Sequence, residues 1–97
     1  MLESTENLEN IFENAVREAE KRKHEYVTVE HVLLALIKDE SIGTTLHEFK
    51  INVGALIRDI ENYLDTKCQD ITSKGKEPVT PRKTASLERL MNRAFTQ

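Results

Sequence analysis

Thr28-Val29-Glu30-His31-Val32-Leu33-Leu34-Ala35-Leu36-Ile37 contains the longest apolar run of the chain, Val32 to Ile37. Thr28 can accept a hydrogen bond from a free backbone N–H and so cap a helix. Val29, Val32, Leu33, Leu36 and Ile37 then recur at the spacing of one helical face. Leu34 and Ala35 are apolar as well, so this second helix is expected to be the most buried. Upstream, Leu8, Ile11, Phe12, Ala15, Val16 and Ala19 form one stripe of a first helix. Its opening turns are acidic and its end is Lys21-Arg22-Lys23, which complements the helix macrodipole without any ligand.

Downstream, Ser41 can cap a short third helix with Ile42, Leu46 and Phe49 inward. Asn52 can cap a fourth with Val53, Leu56, Ile57, Ile60 and Leu64 inward, its start weakened by Gly54. Short joints fit neighbours packed antiparallel or at a steep angle. Periodicity then stops: Ser73, Gly75, Pro78 and Pro81 punctuate a Lys-rich stretch that cannot continue a helix. Leu87, Leu90, Met91, Ala94 and Phe95 restore the stripe, predicting a fifth helix from near Thr84 to Ser86. The expected fold is all-α, a compact bundle of about five helices.

With an offset of 79 residues, Leu8-Glu9-Asn10-Ile11-Phe12-Glu13-Asn14-Ala15-Val16 faces Leu87-Glu88-Arg89-Leu90-Met91-Asn92-Arg93-Ala94-Phe95. The expected organisation is a helical repeat over 1–65, a polar basic linker over 66–83, and the first helix of a second, truncated repeat over 84–97.

A chain of 97 residues and 11.2 kDa holds one small domain, which buries roughly 65% of the surface its unfolded form exposes. The longest apolar run is far shorter than the ~20 residues a membrane-spanning helix needs, so no membrane association is expected. Met1-Leu2 is followed by Glu3, Glu6 and Glu9, which is no secretory signal. The single cysteine, Cys68, can form no internal disulfide, which fits a reducing cytoplasm. Residues 1–65 carry 7 Lys/Arg against 14 Asp/Glu, and residues 66–97 carry 7 against 3. The basic residues Lys67, Lys74, Lys76, Arg82 and Lys83 lie in an aperiodic segment without an aromatic residue, so nucleic-acid binding is not expected.

Extended upstream, the deciding stretch reads His24-Glu25-Tyr26-Val27-Thr28-Val29-Glu30-His31-Val32-Leu33-Leu34-Ala35-Leu36. It resembles the signature of the Clp N-terminal domain, the repeat at the front of the ClpA, ClpC and ClpB unfoldases. The form is most similar to that of ClpA. The resemblance covers the whole chain, and it implies two four-helix repeats of which the second stops here after one helix. It also implies recognition without chemistry: a mobile appendage of a hexameric AAA+ ATPase that receives adaptors and protein substrates and passes them to the ring in cis. The implied partner is a ClpS-like adaptor. By matching positions, the implied contact residues are Glu25, ahead of the second helix, and Thr84, at the start of the fifth, both expected at helix starts, with Leu87 and Arg89 flanking the same surface. The residue-level alternatives are a solvated loop carboxylate for Glu25 and a plain N-cap for Thr84.

No G-x-x-x-x-G-K-[ST] occurs, because Gly75-Lys76 is followed by Glu77, so no phosphate-cradling loop is present and no enzyme is expected. The chain reads either as part of an unfoldase subunit or as a free-standing shortened relative that competes for adaptor or substrate. The apolar face of the fifth helix must be buried against the first repeat or another chain, which allows a homodimer through that helix. No cofactor is expected. His24, His31 and Asp65 offer three potential metal ligands of the right types at loose spacing and read as surface or boundary groups, not a metal site; His47 reads as solvent-facing. Cys68 reads as a spectator thiol in a flexible linker.

Overall fold

The first helix forms where the sequence stripe begins and ends in a left-handed turn. The computed structural model describes residues 5–96, with side chains over 8–93, so Ala94 and Phe95 of the expected stripe, and Glu3 and Glu6 of the acidic opening, lie outside the described side chains. Along the chain run α1 (Thr5–Lys21), β1 (Tyr26–Val27), α2 (Val29–Lys38), α3 (Glu40–Glu48), α4 (Val53–Thr66), a 3-10 turn (Gln69–Ile71), β2 (Arg82–Lys83) and α5 (Ala85–Thr96). The architecture is the expected all-α bundle of five helices.

Lys23 closes α1 with φ 59°, and its N–H bonds to the Glu20 carbonyl while that of His24 bonds to Ala19. This is a Schellman turn with lysine where glycine is usual. It reverses the chain so sharply that His24, the next residue, enters the interior. Lys50 repeats the device after α3 with φ 63°, its N–H reaching His47 and that of Ile51 reaching Leu46.

α2 lies between two apolar clusters. Ile11, Ala15 and Ala19 of α1 meet Ala35 of α2, Val27 and Leu87, with Phe12, Val16, Val32, Leu36, Ile42 and Met91 packed around them. On the other side Leu34 meets Leu64 of α4 and Cys68, with Ile57, Ile60 and Ile71. The expected phase of α2 is thereby corrected: His31, Leu34, Ala35 and Ile37 are buried, whereas Val29 and Leu33 stand exposed. A helix apolar nearly all round carries no periodic signal of which side faces out.

The cap of α3 is Asp39, whose carboxylate accepts from the Ile42 N–H at 3.3 Å, in place of the expected Ser41, which donates to that carboxylate. α3 buries no residue, and Phe49 beyond it is 73% exposed. Asn52 caps α4 as expected, accepting from Ala55 N–H at 3.0 Å.

The stretch after α4 is pinned at several points, unlike the aperiodic linker expected there. Cys68 is buried against Leu34 and Leu64, Thr72 bridges to His24, and Ser73 N–H bonds to the Lys23 carbonyl at 2.7 Å. Lys23 Nζ donates to the Gly75 carbonyl. β2 then pairs in parallel with β1, in the register Tyr26 with Arg82 and Val27 with Lys83. Cys68 is therefore a packed thiol whose pKa burial pushes up, so it is a poor nucleophile.

One ion-pair network ties the helices together. Arg22 reaches Glu18 on α1 at 2.7 Å and Asp65 on α4 at 2.7 Å, and Lys38 of α2 bridges Glu18 and Glu61 at 3.0 and 3.1 Å. Burial opposes ionisation of the Glu18 carboxyl, but its bonds from Arg22 and Lys38 prevail and hold its pKa at about 2. Arg22 is thus a tie between helices in addition to a charge at a helix end. Arg22→Met is expected to return the Glu18 titration toward the ordinary carboxylate range and to cost about 1–2 kcal/mol. An NMR pH titration of Glu18 together with urea unfolding checks both.

Candidate partner-docking face

Glu25 sits on the strand side of the Schellman turn, not at a helix start as expected. Its N–H donates to the Ile71 carbonyl at 2.6 Å and its carbonyl accepts from Arg82 N–H at 3.0 Å, so the backbone is fixed on both edges. The side chain is exposed and makes no hydrogen bond among the described residues. With Tyr26, Val79, Thr80 and Arg82 it lines an open hollow of about 300 Å³.

Thr84 follows β2 directly. Its N–H donates to Val27, its carbonyl accepts from Glu88 N–H at 2.9 Å, and its hydroxyl accepts from Leu87 N–H at 3.2 Å. It is the N-cap of α5. The parallel register places Glu25 and Thr84 on one ribbon at opposite ends, roughly 10 Å apart along the strands.

Leu87 does not flank that surface. It is 1% exposed, at the centre of the first apolar cluster, which makes it core instead of contact. Arg89 is exposed and its guanidinium donates to Ser86 Oγ at 3.4 Å. Among the described residues of α5 the exposed large apolar side chain is that of Leu90, which shares an open groove of about 320 Å³ with Val29, Ser86, Arg89 and Arg93. Sequence spacing gave Leu90 as an inward residue, and only the direction from which α5 meets the core reverses that.

Beneath Glu25 lies a buried histidine pair, correcting the surface placement expected for both. His24 and His31 are 2% and 0% exposed, with Nδ1 of His24 2.8 Å from Nε2 of His31 and ring planes at 71°. Thr28 N–H donates to His31 Nδ1 at 2.9 Å, closing a capping box in which histidine replaces the usual Glu or Gln. This bond fixes the tautomers in sequence. His31 carries its proton on Nε2 and donates to His24 Nδ1, which leaves the proton of His24 on its other nitrogen. Both rings must stay neutral, since a proton added to either would set N–H against N–H. Burial depresses His24, with Arg22 adding to the effect, and burial with the neighbouring His24 takes His31 to about 4.

The three potential metal ligands noted in the sequence do not converge: the histidines bond each other and Asp65 bonds Arg22. Among the described residues no group of three or more His, Cys, Asp or Glu is placed to hold a metal ion, and no helix is long and apolar enough to cross a membrane. The face offers polar groups on a fixed ribbon, Glu25 among them, and exposed apolar groups on helices, Val29 and Leu90.

The sequence matches the family model of the Clp repeat (R) N-terminal domain over residues 3–96. Nearly the whole chain is covered, five helices follow the expected order, and the chain belongs to the Clp N-terminal domain family.

Proposed function

We propose that this domain is a non-catalytic docking module of a Clp-family ATP-dependent unfoldase, of the ClpA type, and that the ribbon bearing Glu25 and Thr84 receives a ClpS-like adaptor. Protein substrates arrive through the adaptor or directly and pass to the ATPase ring in cis, in the cytoplasm. One observation carries the reading: Glu25 presents a carboxylate unengaged among the described residues on a backbone held at both edges. A preorganised charge loses little freedom on binding, and so contributes to affinity and register more than a mobile one. Arg89 lies on the same helix as Thr84's cap and extends the polar rim.

Titration with purified ClpS, followed by calorimetry and NMR shifts, tests the proposal. Saturable binding is expected, weakened at least about tenfold by Glu25→Lys, with shifts clustered on β1, β2 and the first turn of α5. Thr84→Ala is the weaker probe, because it also removes a helix cap. Absence of binding by the folded wild-type chain would sink the adaptor reading.

A further inference from the structure

Lys23 carries a left-handed backbone, with φ 59°, where a residue lacking a Cβ would sit without strain. It is tied to the strap after α4 through two of its groups. Its carbonyl accepts from Ser73 N–H at 2.7 Å, and its Nζ donates to the Gly75 carbonyl, 52 positions along the chain. One residue thus grips both ends of the corner from Ser73 to Gly75. Past that corner, residues 76–81 make no hydrogen bond or ion pair among the described residues, until Arg82 N–H meets the Glu25 carbonyl. The route of this loop matters at the docking face, because Val79 and Thr80 line the hollow beside Glu25 together with Tyr26 and Arg82.

We propose that Lys23 is the positioning residue of this hollow: its side chain fixes where loop 76–81 departs, and through the loop the placement of Val79, Thr80 and β2 against Glu25. A glycine would close α1 equally well but hold nothing beyond it. Lysine adds a long stem ending in a charged donor, and a charged N–H to a carbonyl is among the stronger hydrogen bonds. The backbone cost and the side-chain tie belong to one residue, so removing both together has effects of opposite sign. The turn is relieved while the ribbon loosens. The placement of the hollow is a property of this chain; its use by an adaptor rests on the function proposed above.

Native-state hydrogen exchange and thermal unfolding of the full chain decide it, on wild type, Lys23→Gly, Lys23→Met and Lys23→Arg. In Lys23→Gly the melting temperature is expected to hold or rise, while protection of the Ser73, Arg82 and Thr84 amides falls at least about tenfold relative to α2. Lys23→Met keeps the backbone and a stem without the donor, so ribbon protection falls there too. Lys23→Arg returns a donor and with it the protection, a rescue that a purely local role in the turn would not give. Titration with purified ClpS then shows affinity falling in Lys23→Gly in step with the protection, with the Glu25 carboxylate still in place. Should the wild type not bind ClpS, the adaptor reading fails alone, and the exchange pattern still decides the role of Lys23. Ribbon protection unchanged in Lys23→Gly, equal losses in α2 and the ribbon, or an affinity unmoved where the wild type binds, overturns the proposal.

Discussion

Lowering the pH from 7 to 4.5 is expected to remove about 2 kcal/mol of stability through the buried histidine pair alone. His31 titrates at about 4 in the folded chain against the ordinary 6.5, so between those values the unfolded chain binds more protons. A depressed folded pKa means that stability is complete above about 6.5 and is lost as the pH falls toward 4. His24 is shifted in the same direction and adds to the slope. Glu18, held at about 2 against 4.5, acts in a lower window, where stability is lost from 4.5 down to 2. The two windows barely overlap, so urea unfolding midpoints at a series of pH values resolve them. In His31→Gln the upper slope should shrink while the lower one persists; a wild-type midpoint flat between pH 7 and 4.5 would refute the neutral-pair account.

Leu34→Ala is expected to cost about 3 kcal/mol and Leu33→Ala less than about 1 kcal/mol, although the two residues are neighbours. Leu34 is fully buried between Leu64 and Cys68, the packing that holds α4 and the following strap to α2. Truncation there leaves a cavity that three separate segments border. Leu33 faces outward and loses little packing. For a domain of this size the first loss corresponds to a fall in melting temperature of more than about 10 °C. Thermal unfolding measures both, and equal effects would contradict the orientation of α2.

These two residues also show where the sequence is readable. The stripe of α1 and the cap at Asn52 could be placed from spacing and side-chain chemistry, because α1 has one polar and one apolar side and Asn52 stands at a break. α2 has apolar residues on nearly every side, so its periodicity has no phase, and only packing between α1 and α4 decides that Leu34 goes in and Leu33 out. The histidine pair was invisible for another reason. His24 precedes α2 and His31 lies within it, and they meet because Lys23 adopts a left-handed turn that sequence would assign to glycine. β1 and β2 span two residues each, too few to show alternation. Of the docking residues taken from the family resemblance, Glu25 and Arg89 are exposed, Thr84 is half-buried and occupied as a cap, and Leu87 is core. Leu90 escaped because α1 and α5 share a pattern but not a neighbour.

The β1–β2 ribbon has a consequence for the order of folding. Tyr26 meets Arg82 only after α2, α3 and α4 have been threaded between them, so its closure carries the loop entropy of most of the chain. Contacts among the first four helices are nearer in sequence and form earlier. The ribbon is then the last latch to engage and the first to open. The amides of Arg82 and Thr84 bond to Glu25 and Val27, and native-state hydrogen exchange is expected to find them exchanging before those of α2. Because the proposed docking groups ride on that latch, a chain caught midway through folding does not display them, and a partner that recognises the ribbon recognises completed molecules alone.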